Sequence, residues 1–152
     1  MMPLTHAEKK EIVLRKKKQV DIADIIKDKD ISNEDLSMCY ISNLNLSEQS
    51  IENVNFTGTK MKFIFVKGRA KNCRFISTSL MDGSSIRGAN MQTCNFNGLF
   101  APNLDFAYAD VSKCDMCGAT FTLFSKRSYK AKFDKSFLTL LSRFLDIEGL
   151  DE

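Results

Sequence analysis

The residues best suited to chemistry are few and awkwardly placed. Cys114-Asp115-Met116-Cys117 is a C-x-x-C spacing. Such a pair can supply half of a zinc site, or the two thiols of a redox centre within a thioredoxin-like βαβ unit. Neither context is present. His6 is the single histidine of the chain, and it lies far from the pair, on a segment expected to form an end cap. Carboxylates recur at Asp105, Asp110 and Asp115, but at a strict interval of five. That interval points to a turn role rather than to paired acid–base work. No Ser/His/Asp or Cys/His nucleophile system can be assembled around His6, and the glycines are spaced by fives and tens rather than clustered in a phosphate loop. These observations point to no catalytic residues, no metal, no cofactor and no small-molecule substrate.

The element that must position these residues is a repeat. From Ile31 to Phe121, eighteen of the nineteen residues taken at every fifth position are apolar, Lys71 being the exception. A period of five is neither helical nor extended, so it marks an internal repeat. The residue before each central one is often Asp or Asn, as at Asp30, Asp35, Asn45, Asn55, Asn90, Asn95, Asp105, Asp110 and Asp115, types that bond their own backbone in turns. Two before it the residues are small or apolar, among them Cys39, Leu44, Val54, Thr59, Ser79, Ser84, Ala89, Cys94 and Cys114. Two after it lie six of the seven glycines, Gly58, Gly68, Gly83, Gly88, Gly98 and Gly118. Glycine tolerates positive φ, so this phase is expected to be a corner.

The units Ser-Asn-Leu-Asn-Leu (42–46), Glu-Asn-Val-Asn-Phe (52–56), Gly-Ala-Asn-Met-Gln (88–92), Thr-Cys-Asn-Phe-Asn (93–97) and Tyr-Ala-Asp-Val-Ser (108–112) resemble the A(D/N)LXX pattern of the pentapeptide repeat family. The resemblance implies an all-β, right-handed quadrilateral parallel β-helix. Four pentapeptides would make one square coil of twenty residues, giving about five coils. Coils of this kind bury their inner faces only by stacking. The twenty-residue period predicts a ladder of Leu36, Phe56, Ile76, Phe96 and Met116 on one face, and of Leu46, Val66, Ile86 and Phe106 on the opposite one. It also predicts an inward column of Cys73, Cys94 and Cys114, with Cys117 outward.

The lattice slips between residues 66 and 81. There Cys73-Arg74-Phe75 and Thr78-Ser79-Leu80 fit the pattern better than the strict register, so Ala70 replaces Lys71 inside. A one-residue deletion near 66–70 and an insertion near 81–85 would produce this, with a bulge as its physical form. A second departure is Leu99-Phe100-Ala101-Pro102, where Ala101 underfills its position. Either Leu99 or Phe100 compensates, or Phe100 is exposed.

The sequence divides into an N-terminal helical cap (1–25), the repeat (26–121) and a C-terminal cap (122–152). Thr5 and Glu8 form a capping box that opens a helix over about 6–18. Residues 122–133 are basic and aromatic, without clear period, and are expected to cross the end of the shaft. In the last segment Phe137, Leu140, Leu141, Phe144 and Leu145 occupy one helical face. Either this helix only caps the open end of the shaft, or, the face being more apolar than the end of one narrow coil hides, these five residues seat a homodimer. Pentapeptide proteins that confer fluoroquinolone resistance use a C-terminal apolar segment in this way.

Net charge is +3, from 22 basic and 19 acidic residues. It is +2 over 1–26, zero over 27–121 and +1 over 122–152. A neutral repeat argues against nucleic-acid binding, which needs a basic face. It equally argues against imitation of DNA, which needs an acidic one. Five cysteines, no apolar run of membrane-spanning length and no signal-peptide pattern point to a cytoplasmic protein with free thiols, without membrane association. The functional expectation is a non-enzymatic scaffold that binds protein. The alternative is a DNA-mimicking protein that protects gyrase, for which Asp28, Asp30, Glu34, Asp35, Glu48 and Glu52 would have to cluster on one face.

Overall fold

The computed structural model describes residues 1–81, 83–121 and 126–134, Arg127 by its backbone alone. The chain opens with β1 (Met2–Pro3) and α1 (His6–Lys18), followed by the short α2 (Ala23–Ile26) and β2 (Lys29–Asp30). The capping box forms as expected. Glu8 N donates to Thr5 Oγ1 at 3.1 Å and Thr5 N donates to Glu8 Oε1 at 2.9 Å, so two orphan amide donors of the first turn are satisfied. The last turn carries Arg15, Lys16, Lys17 and Lys18, where cations complement the helix dipole. Only Ile12 of α1 is buried, while Val13 and Leu14 remain half exposed, as three consecutive apolar residues on a helix require. Parallel pairing of β1 with β2, and ion pairs from Lys9 to Glu34 (3.2 Å) and Lys29 to Glu8 (3.3 Å), hold this cap on the first coil.

From Ile31 the chain winds as a parallel β-solenoid of stacked coils. Its strands are β3 (Tyr40–Asn45), β4 (Ile51–Glu52), β5 (Lys60–Phe65), β6 (Arg69–Lys71), β7 (Ser79–Leu80), β8 (Asn90–Gln92), β9 (Phe100–Ala101) and β10 (Thr120–Phe121). Two faces are sheets: β3-β5-β7-β9-β10 through Ile41, and β4-β6-β8 through Ile51. The other two are columns of parallel bridges. One runs Asp35–Asn55–Arg74–Asn95–Asp115 beside Leu36, and the other runs Phe65–Ser85–Asp105 beside Leu46. These four faces are the four sides implied by the resemblance.

Pairing offsets record the slip directly. Tyr40 pairs with Lys60, twenty residues on. Ile51 pairs with Ala70 and Lys60 with Ser79, nineteen on; Arg69 then pairs with Asn90 and Ser79 with Phe100, twenty-one on. Phe65 to Ser85 and Ser85 to Asp105 are again twenty. One residue is therefore missing between Val66 and Ala70, and one is gained between Leu80 and Ile86. Ala70, Phe75 and Leu80 are buried, whereas Lys71 and Met81 face outward. The slipped register expected from the sequence is the one observed, and it corrects two positions of the strict lattice. Phe75, not Ile76, is the rung between Phe56 and Phe96, and Thr78, not Ser79, points inward.

The core is the column of central residues plus the column two before. Phe56, Phe75 and Phe96 stack with centroids 5.1 Å apart at each step. Leu46, Val66, Ile86 and Phe106 are buried on the opposite side. Ala101 is fully buried, with the large Leu99 beside it inside and Phe100 half exposed. No buried side-chain nitrogen or oxygen of the described residues lacks a partner. The inward hydroxyls of Thr59 and Thr78 both donate to Phe56 O, at 2.7 and 2.6 Å.

The corner phase behaves as the glycines suggested. Gly58, Gly83, Gly88, Gly98 and Gly118 have positive φ, and so do Asn33, Asn43, Asn53 and Asn72 at equivalent positions. Gly68 is there for a different reason. Its φ is not in the left-handed region, but a Cβ would lie 2.6 Å from Gln49 O, so the backbone of the coil below leaves no room. Pairing is seen again at 129–132: Tyr108 N donates to Tyr129 O, and Val111 N to Lys132 O, both at 2.8 Å. Residues 129–132 thus extend the ladder, and Phe133 packs against Phe106 and Phe121 at the shaft end.

Candidate interaction surface

The chemistry-bearing residues are consumed by the fold. Asp105 and Asp110 accept from the amides of Ala107 (3.2 Å) and Ser112 (3.1 Å), as Asp35 and Asn95 do for Ser37 (3.0 Å) and Asn97 (2.8 Å). These are turns in which the side chain replaces a backbone acceptor. The Ser112 hydroxyl, and secondarily its amide, holds the Asp110 carboxyl below the ordinary range, and the Ser37 hydroxyl and amide do the same for Asp35. Asp115 accepts from Asn97 Nδ2 at 3.1 Å.

Cys73 and Cys94 are buried in one column, Cys114 is half-buried above them, and Cys117 is exposed. The thiols of Cys94 and Cys114 donate to the carbonyls of Ala70 (3.4 Å) and Met91 (2.8 Å) one coil below. The hydrogen bond with Cys114, together with burial, pushes the Cys94 thiol up to about 12. Cys73 is driven higher still by its bond to Cys94 and by burial, while the same Cys94–Cys114 bond lowers Cys114. Buried thiols held neutral are packing groups, not nucleophiles. The C-x-x-C pair is split between the inside and the outside, and no cluster of potential metal ligands occurs among the described residues. His6 is exposed on α1. A cavity under Ile86, Phe96, Phe106 and Phe121 measures about 10 Å³, at most the space of one water.

What the fold leaves unexplained is on the outside. The phase before the central residue is generally Asp, Asn or Ser, yet Phe65 and Phe100 occupy it. The corner phase is generally Asn or Gly, yet Met38, Phe63 and Tyr108 occupy it with positive φ. The slip adds Met81. Exposures are 43% for Phe65, 50% for Phe100, 48% for Met81 and 39% for Phe63. The sheet through Ile41 and its corner with the Leu46 face present this group. Phe63 lies over Gly83 of the next coil, where a Cβ would collide with the ring.

Charge is the second outward feature. Residues 28–52, a little more than one coil, carry Asp28, Asp30, Glu34, Asp35, Glu48 and Glu52 against Lys29. Residues 53–81 carry no acid, and their cations Lys60, Lys62, Lys67, Arg69, Lys71 and Arg74 all fall within the second coil. Residues 82–121 carry four acids against Arg87 and Lys113. The neutral total therefore hides bands of alternating sign along the axis. The six acids spread over two successive layers, Glu52 lying one coil above Ser32, and Glu34 and Glu52 pair with Lys9 and Lys71. An open groove on the Leu46 face is lined by Phe65, Lys67, Ser85, Arg87 and Tyr108, with Arg87 over the Tyr108 ring at 5.1 Å and 3.6 Å from Asp105.

The expected dimer residues Phe137, Leu140, Leu141, Phe144 and Leu145 lie outside the described residues. Among the described residues no helix is long and apolar enough to cross a membrane.

Comparison with known proteins places the repeat. The family model for pentapeptide repeats matches residues 84–122 in eight copies. A search of curated proteins found no match. Among solved structures, this chain is similar to a trypsin-treated variant of QnrB1, a plasmid-mediated fluoroquinolone resistance protein. That match has 14% identity and a TM-score of 0.27, covering 77% of this chain and 90% of that one. Residues 84–122 thus match the pentapeptide repeat family, and coils of the same five-residue phase run back from there to Ile31.

Proposed function

We propose that this protein is a non-enzymatic scaffold that binds protein partners through the outer faces of its shaft. The observation that carries the reading is the set of large apolar side chains at phases where the coil calls for turn formers. Phe65 and Phe100 cost the exposure of apolar surface at a phase where the coil elsewhere uses Asn, Asp or Ser, and Phe63, packed over Gly83, remains 39% exposed. The filled interior supports the same reading, because a shaft packed with its own side chains leaves only its surface for recognition. The imitation of DNA fits less well: the acids of 28–52 are followed by a basic layer without any acid before they resume at 82–121, so no acidic face runs the length of the shaft. Homodimerisation through Phe137, Leu140, Leu141, Phe144 and Leu145 belongs to the same proposal, since joining two shafts would lengthen the available faces.

The test restores the lattice. Phe65→Ser and Phe100→Ser together place at those phases a residue type the repeat uses elsewhere, and the melting temperature should be maintained. Affinity capture from a cell extract should yield partners with the parent chain that the double variant loses. Identical capture profiles for two equally folded chains would refute the assignment of these faces.

A further inference from the structure

The second coil is encircled by Lys60, Lys62, Lys67, Arg69, Lys71 and Arg74, and among the described residues the only ion pair in this belt is Lys71 to Glu52, at 3.7 Å. Like charges confined to one layer about 4.8 Å thick repel each other, and an anionic partner would relieve that repulsion. At the corner between the Ile41 and Leu46 faces the belt meets the exposed apolar group: Lys62 beside Phe63, and Lys67 beside Phe65 in the open groove, with Arg87 one coil above.

We propose that this corner is a docking site for an acidic polypeptide segment, its carboxylates on Lys62, Lys67 and Arg87 and an apolar side chain on Phe65. The inference rests on the interaction-module reading and names the chemistry of its partner. Charge complementarity selects an anion, and the rings select its class. A single nucleic-acid strand needs successive open ring faces on which to stack bases. Here Lys62 lies over Phe63 at 5.2 Å and Arg87 over Tyr108 at 5.1 Å, so two of the three ring faces are already taken by cations. Lys62 keeps its ammonium donors for a carboxylate, and Arg87, although 3.6 Å from Asp105, has further guanidinium donors to offer one.

A fluorescein-labelled dodecapeptide alternating glutamate and leucine is the probe, read by anisotropy against the full chain. It should bind, and weaken with salt. Lys62→Glu/Lys67→Glu should lower its affinity by about tenfold or more, because close charge pairs are reversed. Lys67→Gln should give an intermediate loss. Lys17→Glu/Lys18→Glu, an equal change of charge on exposed α1 residues, should leave binding intact. Absence of peptide binding, equal losses in the two double variants, or tighter binding of oligothymidylate than of the peptide would each overturn the proposal. If the peptide fails while Phe65→Ser/Phe100→Ser still loses captured protein, the interaction-module reading stands and only the acidic partner falls.

Discussion

Truncating Phe75 and Ile76 in turn tests the register on which the whole assignment depends. Phe75 is buried between Phe56 and Phe96, its ring 5.1 Å from each, whereas Ile76 is only partly buried on the outward side of the same turn. Removing a buried phenylalanine costs about 3–5 kcal/mol in transfer and cavity energy. Each stacked pair adds roughly 0.5–1.5 kcal/mol beyond area, and Phe75 holds two. Phe75→Ala should therefore fall at the upper end, about 4–5 kcal/mol. Ile76→Ala should cost under about 1 kcal/mol, as substitutions near the surface do. Urea unfolding followed by circular dichroism, compared at equal slope, measures both. Should Phe75→Ala leave the chain unfolded, Phe75→Leu keeps the contrast at roughly 1–2 kcal/mol. An Ile76→Ala loss equal to or larger than that of Phe75→Ala would mean that the nineteen-residue offset is wrong and that the strict register continues through the second coil.

Gly68→Ala should cost roughly 1–3 kcal/mol by overpacking against the Gln49 carbonyl. Gly88→Asn, at a positive-φ corner with open space around it, should cost under about 1 kcal/mol; thermal melts of the pair would show the reverse order if Gly68 were merely a turn residue. Cys94 has its pKa raised in the fold to about 12, so the folded state holds the proton that the unfolded chain releases near about 8.5. Its contribution is complete below about pH 8.5 and is lost as pH rises toward 12. The melting temperature should fall over that window, and less steeply in Cys94→Ala; parallel curves would show that the thiol stays neutral in neither state. Leu141→Asp should convert a dimer to monomer in size-exclusion chromatography with light scattering, and an unchanged mass would remove the dimer from the proposal.

Most of the architecture was legible because a period of five assigns every residue a direction. Once Leu46 and Phe56 are central, Asn45 and Asn55 must turn, Leu44 and Val54 must point inward, and the corner must tolerate positive φ. Even the slip could be read, since Lys71 cannot sit inside while Ala70 can. The partner-facing surface was not legible in the same way. Phe63, Phe65 and Phe100 look like ordinary apolar residues in a chain rich in them, and only their phase shows that the core does not need them.

Sequence by itself determined the repeat, its handover from Lys71 to Ala70, the capping box at Thr5 and the inward cysteine column, all of which depend on local phase. Tertiary structure decided what lies above and below. It stacked Phe75 5.1 Å from two phenylalanines of neighbouring coils, set Gly68 against a backbone carbonyl nineteen residues earlier, and brought Lys67 and Arg87 of successive coils into one groove. The physical reason is that a coil meets its neighbours about twenty residues away. A count along the chain averages acid and base to zero, but stacking about 4.8 Å apart keeps them in separate bands that an approaching partner meets as distinct surfaces.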